Sequence, residues 1–296
     1  MWYNKSVMKI LYKNNNLTIT DVTDFKLSDI FDCGQCFRWN KQEDGSYTGI
    51  AGGKALKIAQ TDSEITLYDT SEEDFKNFWY DYFDLGRNYS DVRSSLKSDS
   101  TLKNAFDYGS GIRILHQQLW ECIVSFIISA SNNIPRIKKI VELFCRNFGE
   151  ATEYMGNVYY SFPTPEKTAS LSLEDLQIIR AGFRDKYILD AAKKFISDND
   201  FKKISEMSSS DAKKVLMHIN GVGNKVADCV LLFGLGKYDC FPVDVWMKRI
   251  MEYCYFEGNP QSIKTISDYA AEHFGELGGF AQQYLFFYAR ENKIGT

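Results

Sequence analysis

The chain has 296 residues, 44% of them hydrophobic and 15% aromatic, enough to bury a core over one large domain or two modest ones. Charged residues make up 25%, and the 20 glycines and 5 prolines fall far short of a low-complexity composition, which excludes wholesale disorder, collagen and coiled coil. The net charge of −4 provides no global positive field for nucleic acid, so a polyanionic partner must be met by a local patch. The segment Met1 to Tyr12 carries Lys5 and Lys9 but no continuous apolar core and no small-residue cleavage site, so no secretory signal is expected.

From Leu17 to Tyr68 the hydrophobic period is two. Leu17 and Ile19, Phe37 and Trp39, Leu56 and Ile58, and Ile65 and Leu67 alternate with polar neighbours, as in half-buried strands. Turn signals at Asn14 to Asn16, Asp44-Gly45 and Gly52-Gly53 separate them. Cys33 and Cys36 form a C-x-x-C at an expected strand start. With no second pair at zinc spacing and an odd total of seven cysteines, free thiols outrank zinc or redox chemistry. Ser71 and Asp74 resemble a capping box, followed at helical spacing by Phe75, Phe78, Trp79 and Phe83.

Beyond Leu115 the period becomes 3.6, over Leu119 to Ser129, Arg136 to Phe148, Leu173 to Arg180, Tyr187 to Ile196, Asp211 to Met217, Lys225 to Phe233, Val245 to Tyr253 and Ile266 to Phe274. The expected fold class is α+β: residues 1–115 form an antiparallel sheet domain with flanking helices, and residues 116–296 an all-helical domain. Leu119 to Ser129 is apolar nearly all round, which places it at the bundle centre; it is too short to span a bilayer, which takes about 20 residues. It runs into a polar loop, Ser129 to Asn133. His116, His218 and His273 show no ligand spacing, so structural or surface roles are expected of them.

The segment His218-Ile219-Asn220-Gly221-Val222-Gly223-Asn224-Lys225 lies between two short helical patterns, within a hairpin of about 211–234. Gly221 and Gly223 permit a sharp turn that exposes backbone N–H groups at the next helix start, a phosphate site; a plain αα-turn is the alternative. Lys225 falls in the first turn of that helix, where the dipole and the apolar Val226 and Cys229 disfavour the cation and leave an amine available as a nucleophile. A solvated or phosphate-contacting lysine fits the same position. Asp244, in Pro242-Val243-Asp244-Val245-Trp246, suits an N-cap and fits either a structural cap or a carboxylate that steadies positive charge on a sugar.

Gly221 to Cys229 followed by Pro242-Val243-Asp244-Val245 resembles the signature of the helix-hairpin-helix DNA glycosylases of the HhH-GPD superfamily, in their 8-oxoguanine branch. Gly34 to Trp39, Gly111 to Leu115, Trp120-Glu121-Cys122, Ser131 to Arg136, Gly182-Phe183-Arg184 and Gly279 to Gln282 resemble family segments in the same order, nearly full length. The resemblance implies a TBP-like sheet packed on the helical HhH-GPD domain, and a bifunctional glycosylase and abasic-site lyase in which Lys225 attacks C1′ and Asp244 supports an oxocarbenium-like transition state. It implies a base pocket of the Gly34 carbonyl, Cys229, Phe233, Trp246, Gln282 and Phe286. DNA contacts would come from Ser131, Asn132, Asn133, Arg136, Phe183, Arg184, Gly221 and Gly223, with Phe183 as the wedge and the two arginines reading the stranded cytosine.

By the same resemblance no redox cofactor is needed, and the carbonyls of Met217, Ile219 and Val222 would hold a monovalent cation. The partner would be duplex DNA containing 8-oxoguanine, with no membrane, met by a monomer that is cytoplasmic, at the nucleoid in a bacterium, or nuclear in a eukaryote. The sequence departs from the family at Ser131, where asparagine is usual, at Trp246, where histidine is common, and at Phe233, often methionine; Asn132 could replace Ser131 as gap-filler. The C-x6-C-x2-C-x5-C pattern of the iron–sulfur relatives is missing, so no cluster is expected. An alkyl-base glycosylase without a lysine nucleophile, and a noncatalytic hairpin module that only grips DNA, remain as alternatives.

Overall fold

A computed structural model describes residues 8–294. The first seven residues of the Met1 to Tyr12 segment, on which the reading about secretion partly rests, lie outside the described residues. Among the described residues no helix is long and apolar enough to cross a membrane.

Most of the residues alternating at period two lie in a six-stranded antiparallel sheet, in the order β1 (Lys9–Lys13), β2 (Asn16–Thr20), β6 (Glu64–Tyr68), β5 (Lys54–Gln60), β4 (Tyr47–Ala51), β3 (Trp39–Lys41); Phe37 instead precedes β3 and packs on Phe126 of the helical half. The register aligns Leu17, Leu67, Ile58 and Tyr47 across four strands, and all four are buried on one face. That face packs on Phe31, Trp39, Phe75, Trp79 and Phe83, where Phe31 stacks on Trp39 at 4.2 Å. Edge strand β1 is exposed throughout and is invisible to the alternation.

The Ser71 cap forms as expected, accepting from the Asp74 amide at 2.9 Å. The helix it starts relaxes into a π turn over Phe75–Trp79, a local unwinding for which the sequence offers no signal. The C-x-x-C is not at a strand start: it follows the short helix Leu27–Phe31, and β3 begins only at Trp39. Both thiols are buried, Cys33 on the Ile30 carbonyl at 3.2 Å.

The second half is built on Leu119–Ser129, whose burial on all sides comes from packing against Asn224–Leu235, Ile134–Phe148 and Asp185–Ser197. It is not purely helical. A hairpin of β7 (Ala151–Tyr154) and β8 (Asn157–Tyr160) turns at Met155-Gly156, both at positive φ. The Tyr154 hydroxyl donates to the Tyr68 carbonyl at 2.6 Å and accepts from the Lys57 amide at 2.9 Å, which ties this hairpin to the sheet. The last long helix, Gly278–Glu291, packs on Ser100–Tyr108.

Around Gln35 and Arg113 the seam between the halves is polar and hydrogen-bonded. Buried Gln35 donates to the Ile30 and Arg113 carbonyls, both at 2.8 Å, and accepts from the Leu115 amide at 2.9 Å. Arg113 in turn donates to the carbonyls of Asp24, Asp84 and Thr23. These bonds fix the chain on either side of Gly34, which sits at φ +88.

Candidate active site

The two glycines of the hairpin have different tasks. Gly221 adopts φ +87 and lies so close to Tyr187 that an added Cβ would come within 2.4 Å of its ring, whereas Gly223 faces open space. The turn is clasped by Asp185–Ser197: Asp190 accepts from the Asn220 amide at 2.8 Å, and Lys194 donates to the His218 carbonyl at 2.6 Å. The turn therefore presents Gly223 as the N-cap of Asn224–Leu235, with Lys225 in its first turn. Asp244 caps the next helix, Val245–Tyr255, and accepts from the Met247 amide at 2.7 Å.

Both helix starts open on one cavity of about 380 Å³. Lys225, Asp244, Gly34, Trp246, Phe286, Asn132, Asn133, Ser129, Phe126 and Arg290 are among its walls. The Lys225 ammonium donates to the Ser129 hydroxyl at 3.2 Å and stands 5.2 Å from the centre of the Phe126 ring. Cys229, one turn on, is buried beside both charged groups; burial pushes its thiol up to about 11, against the field of Lys225.

Not every residue expected at the base lies on the cavity surface. Phe233 backs Phe126 in a near-parallel stack at 5.5 Å, and Phe126, not Phe233, lines the cavity. Gln282 is buried with its amide nitrogen 3.8 Å from the Met247 sulfur and its Oε1 without a hydrogen-bond partner among the described residues. Trp246 stands half exposed at the mouth, with the Arg249 guanidinium 5.6 Å from its ring centre.

Around the cavity, Asn132 donates to the Ile128 carbonyl at 3.1 Å, and Asn133 caps Ile134–Phe148 through the Arg136 amide at 3.0 Å. Ser131 is absent from the cavity wall and is exposed at φ +50. Phe183 is 56% exposed, a large aromatic with no core to fill, and the Arg184 guanidinium lies 4.3 Å from its ring centre. Arg184 is only 3% exposed and donates to the Ala130, Ser131 and Ala181 carbonyls, so it braces the 129–133 loop as well as the aromatic. Arg136 is exposed on the same side, close enough for its charge, after burial, to hold Arg184 below its ordinary value.

Among the described residues no cluster of His, Cys, Asp and Glu is arranged to hold a metal ion. His116 bonds Tyr238 at 2.7 Å and His273 bonds Asp99 at 2.8 Å. The reading of the sequence missed Ser129, Phe126 and Arg290. Ser129 carries a readable signal as the polar end of an apolar helix, but Arg290 carries none.

A helix-hairpin-helix leads a lysine into a cavity shared with a capping aspartate, and proteins similar to this chain in sequence and fold belong to base excision DNA repair. The HhH-GPD superfamily of base excision DNA repair proteins matches residues 124–272, and the 8-oxoguanine DNA glycosylase N-terminal domain matches residues 17–123. The fold superposes on a structure of MBOgg1 in complex with a low-affinity DNA ligand, at a TM-score of 0.94 and 45% identity, covering 97% of this chain and 99% of that one. It also superposes on the Clostridium acetobutylicum 8-oxoguanine glycosylase/lyase in complex with double-stranded DNA containing cytosine opposite 8-oxoG, at 0.93 and 43%, covering 97% and 99%. The N-glycosylase/DNA lyase of Saccharomyces cerevisiae is 32% identical over 282 residues, 86% of this chain and 75% of that protein. The chain belongs to the 8-oxoguanine DNA glycosylase/AP lyase family of the HhH-GPD superfamily.

Proposed function

We propose that Lys225 and Asp244 are the working pair of this enzyme, a bifunctional DNA glycosylase and abasic-site lyase that excises 8-oxoguanine in base excision repair. The observation that carries the residue assignment is that two separate helix N-termini deliver an amine and a carboxylate to one cavity large enough for a purine. The Lys225 amine attacks C1′ while the bond to the base breaks. The base leaves with the bonding pair and takes up a proton, and sugar opening gives a Schiff base. Loss of a C2′ proton then expels the 3′ phosphate. Asp244, held by the Met247 amide, stabilises positive charge on the sugar during the first step.

The Gly34 carbonyl accepts the N7 hydrogen that distinguishes 8-oxoguanine from guanine. Phe286 and Cys229 flank the base, Gln282 supplies its orphaned Oε1 to the Watson–Crick edge, and Phe233 and Trp246 shape the walls. Phe183 enters the stack, Arg136 and Arg184 face the opposite base, and Asn132, which lines the cavity, fills the gap in preference to Ser131; Asn133 and the Gly221–Gly223 amides hold the backbone. Residues 1–115 frame the Gly34 side, and residues 116–296 carry the reacting groups. The Met217, Ile219 and Val222 carbonyls are hard oxygen donors that suit a monovalent cation, which would tighten the turn; no step depends on it. The partner is double-stranded DNA met by a monomer, in the cytoplasm or nucleus.

Borohydride reduction during reaction with an 8-oxoguanine duplex gives a covalent adduct that Lys225→Gln abolishes. An undiminished adduct in that variant refutes the assignment. Excision of 3-methyladenine at a rate matching that of 8-oxoguanine would instead favour the alkyl-base reading.

A further inference from the structure

One charged group in the cavity wall is unused by the chemistry above. Arg290 lies near the end of Gly278–Glu291 and lines the cavity with Gly34 and Phe286. Its Nη2 donates to the Asp32 carbonyl at 2.5 Å and to Glu291 at 2.9 Å, and its Nε donates to Glu291 at 3.0 Å. The Asp32 carboxylate is itself fixed by the Tyr47 hydroxyl at 2.5 Å. The guanidinium is thus aimed by two partners on one side. Its Nη1 has no hydrogen-bond partner among the described residues, and a Cβ placed on Gly34 would lie 3.7 Å from it. An unused pair of donors therefore stands beside the backbone unit proposed to recognise the lesion.

We infer that Arg290 contacts the extruded base, donating from Nη1 to a carbonyl oxygen that flanks N7–H and stabilising the negative charge the base acquires as it leaves. This rests on the reading that the base enters beside Gly34. In 8-oxoguanine, N7–H lies between the oxygens on C6 and C8, so a donor next to the group accepting N7–H meets an oxygen on either side. When the C1′–N9 bond breaks, its electron pair goes to the base and spreads onto those oxygens. A fixed cation then binds the departing base more strongly than the intact nucleotide, which is the condition for accelerating the step. Arginine stays protonated throughout, and the departing anion takes its proton from solvent. Glu291 is on the surface side, and an exposed pair of this kind cancels little of the charge.

The test exploits a substrate without a base. Single-turnover base release from an 8-oxoguanine:cytosine duplex and strand cleavage at a preformed abasic site are measured for Arg290→Met and Arg290→Lys. Base release by Arg290→Met is expected to fall by about 10²-fold, the loss typical of one preorganised donor, while abasic-site cleavage is retained. Arg290→Lys, which keeps the charge but not the fork, recovers part of the base release. If Arg290→Met melts early, the ratio of the two rates is read on the lysine variant. Rates that fall together, or that both stay unchanged, overturn the proposal. Failure of the Lys225 assignment shows separately, as an adduct that survives Lys225→Gln.

Discussion

Replacing each hairpin glycine by alanine separates backbone need from phosphate access. At Gly221 the added Cβ meets Tyr187 Cδ2 at 2.4 Å and Cγ at 2.6 Å, atoms near the root of the side chain that cannot swing aside. Overpacking of this kind costs about 1–3 kcal/mol. The φ of +87 adds about 1–2 kcal/mol for an L side chain. The sum, ~2–5 kcal/mol, is a large share of a typical domain's stability, and with usual urea slopes it lowers the unfolding midpoint by roughly 1–2 M. Gly223 meets nothing within 4 Å, so its alanine variant loses only glycine's N-cap preference over alanine, about 1 kcal/mol. It does place a methyl over the amides proposed to face a phosphate, and losing one charge-assisted bond weakens duplex binding by about tenfold. Urea titration and fluorescence anisotropy on an uncleaved duplex read the two effects. Adding Tyr187→Ala to Gly221→Ala restores the packing part alone. Equal stability of the two glycine variants, or full duplex affinity in Gly223→Ala, refutes the reasoning.

The buried pair Arg38 and Glu121, 3.7 Å apart, joins the residue before edge strand β3 to the central helix, and burial raises the Glu121 carboxyl despite Arg38. Glu121→Leu alone strands the guanidinium and costs about 3–5 kcal/mol in chemical denaturation, whereas Arg38→Met with Glu121→Leu comes closer to the parent; additive losses would refute this. Asp185 has a buried Oδ1 without a hydrogen-bond partner among the described residues, and burial lifts its carboxyl from the usual 3.8 to about 6. Between those values the folded chain binds the proton more tightly than the unfolded one, so this contribution is complete below the lower value and lost as pH rises through about 6. Asp185→Asn therefore raises the melting temperature at pH 7 and leaves it unchanged near pH 3; a uniform shift at both would refute the cause.

Much of the architecture is legible because one face of each element is buried. Leu17, Ile19, Leu56, Ile58, Ile65 and Leu67 are buried on one sheet face, and the helix Leu119–Ser129 lies where its uniform apolarity puts it. Elements without such contrast escape. β1 is exposed on both faces, the β7–β8 strands have four residues each, and Gly278–Glu291 is buried so nearly all round that no period marks it. At the site, Lys225 and Asp244 are readable because turn chemistry and capping are local. Burial depth is not local. Only the fold puts Phe233 behind Phe126, brings Arg290 to Gly34 across some 250 residues, and turns Arg113 and Gln35, within motif-like segments, into bracing for the seam.

The fold also governs which nucleophile the cavity offers. A thiol attacks more readily than an amine once ionised, and Cys229 stands one turn from Lys225, within the field of Asp244 as well. A thiolate there would compete for C1′ and give an adduct that cannot pass through a Schiff base to strand cleavage. Burial holds the thiol at about 11, further from ionisation than its ordinary 9.0, and Cys229 is not among the residues that line the cavity. The amine reaches the cavity because it stands on the exposed first turn of its helix, with Ser129 to orient it. The same feature, a helix start opening on a cavity, exposes Lys225 for its proposed attack and fixes Asp244 by its cap bond, while Cys229 is buried one turn below.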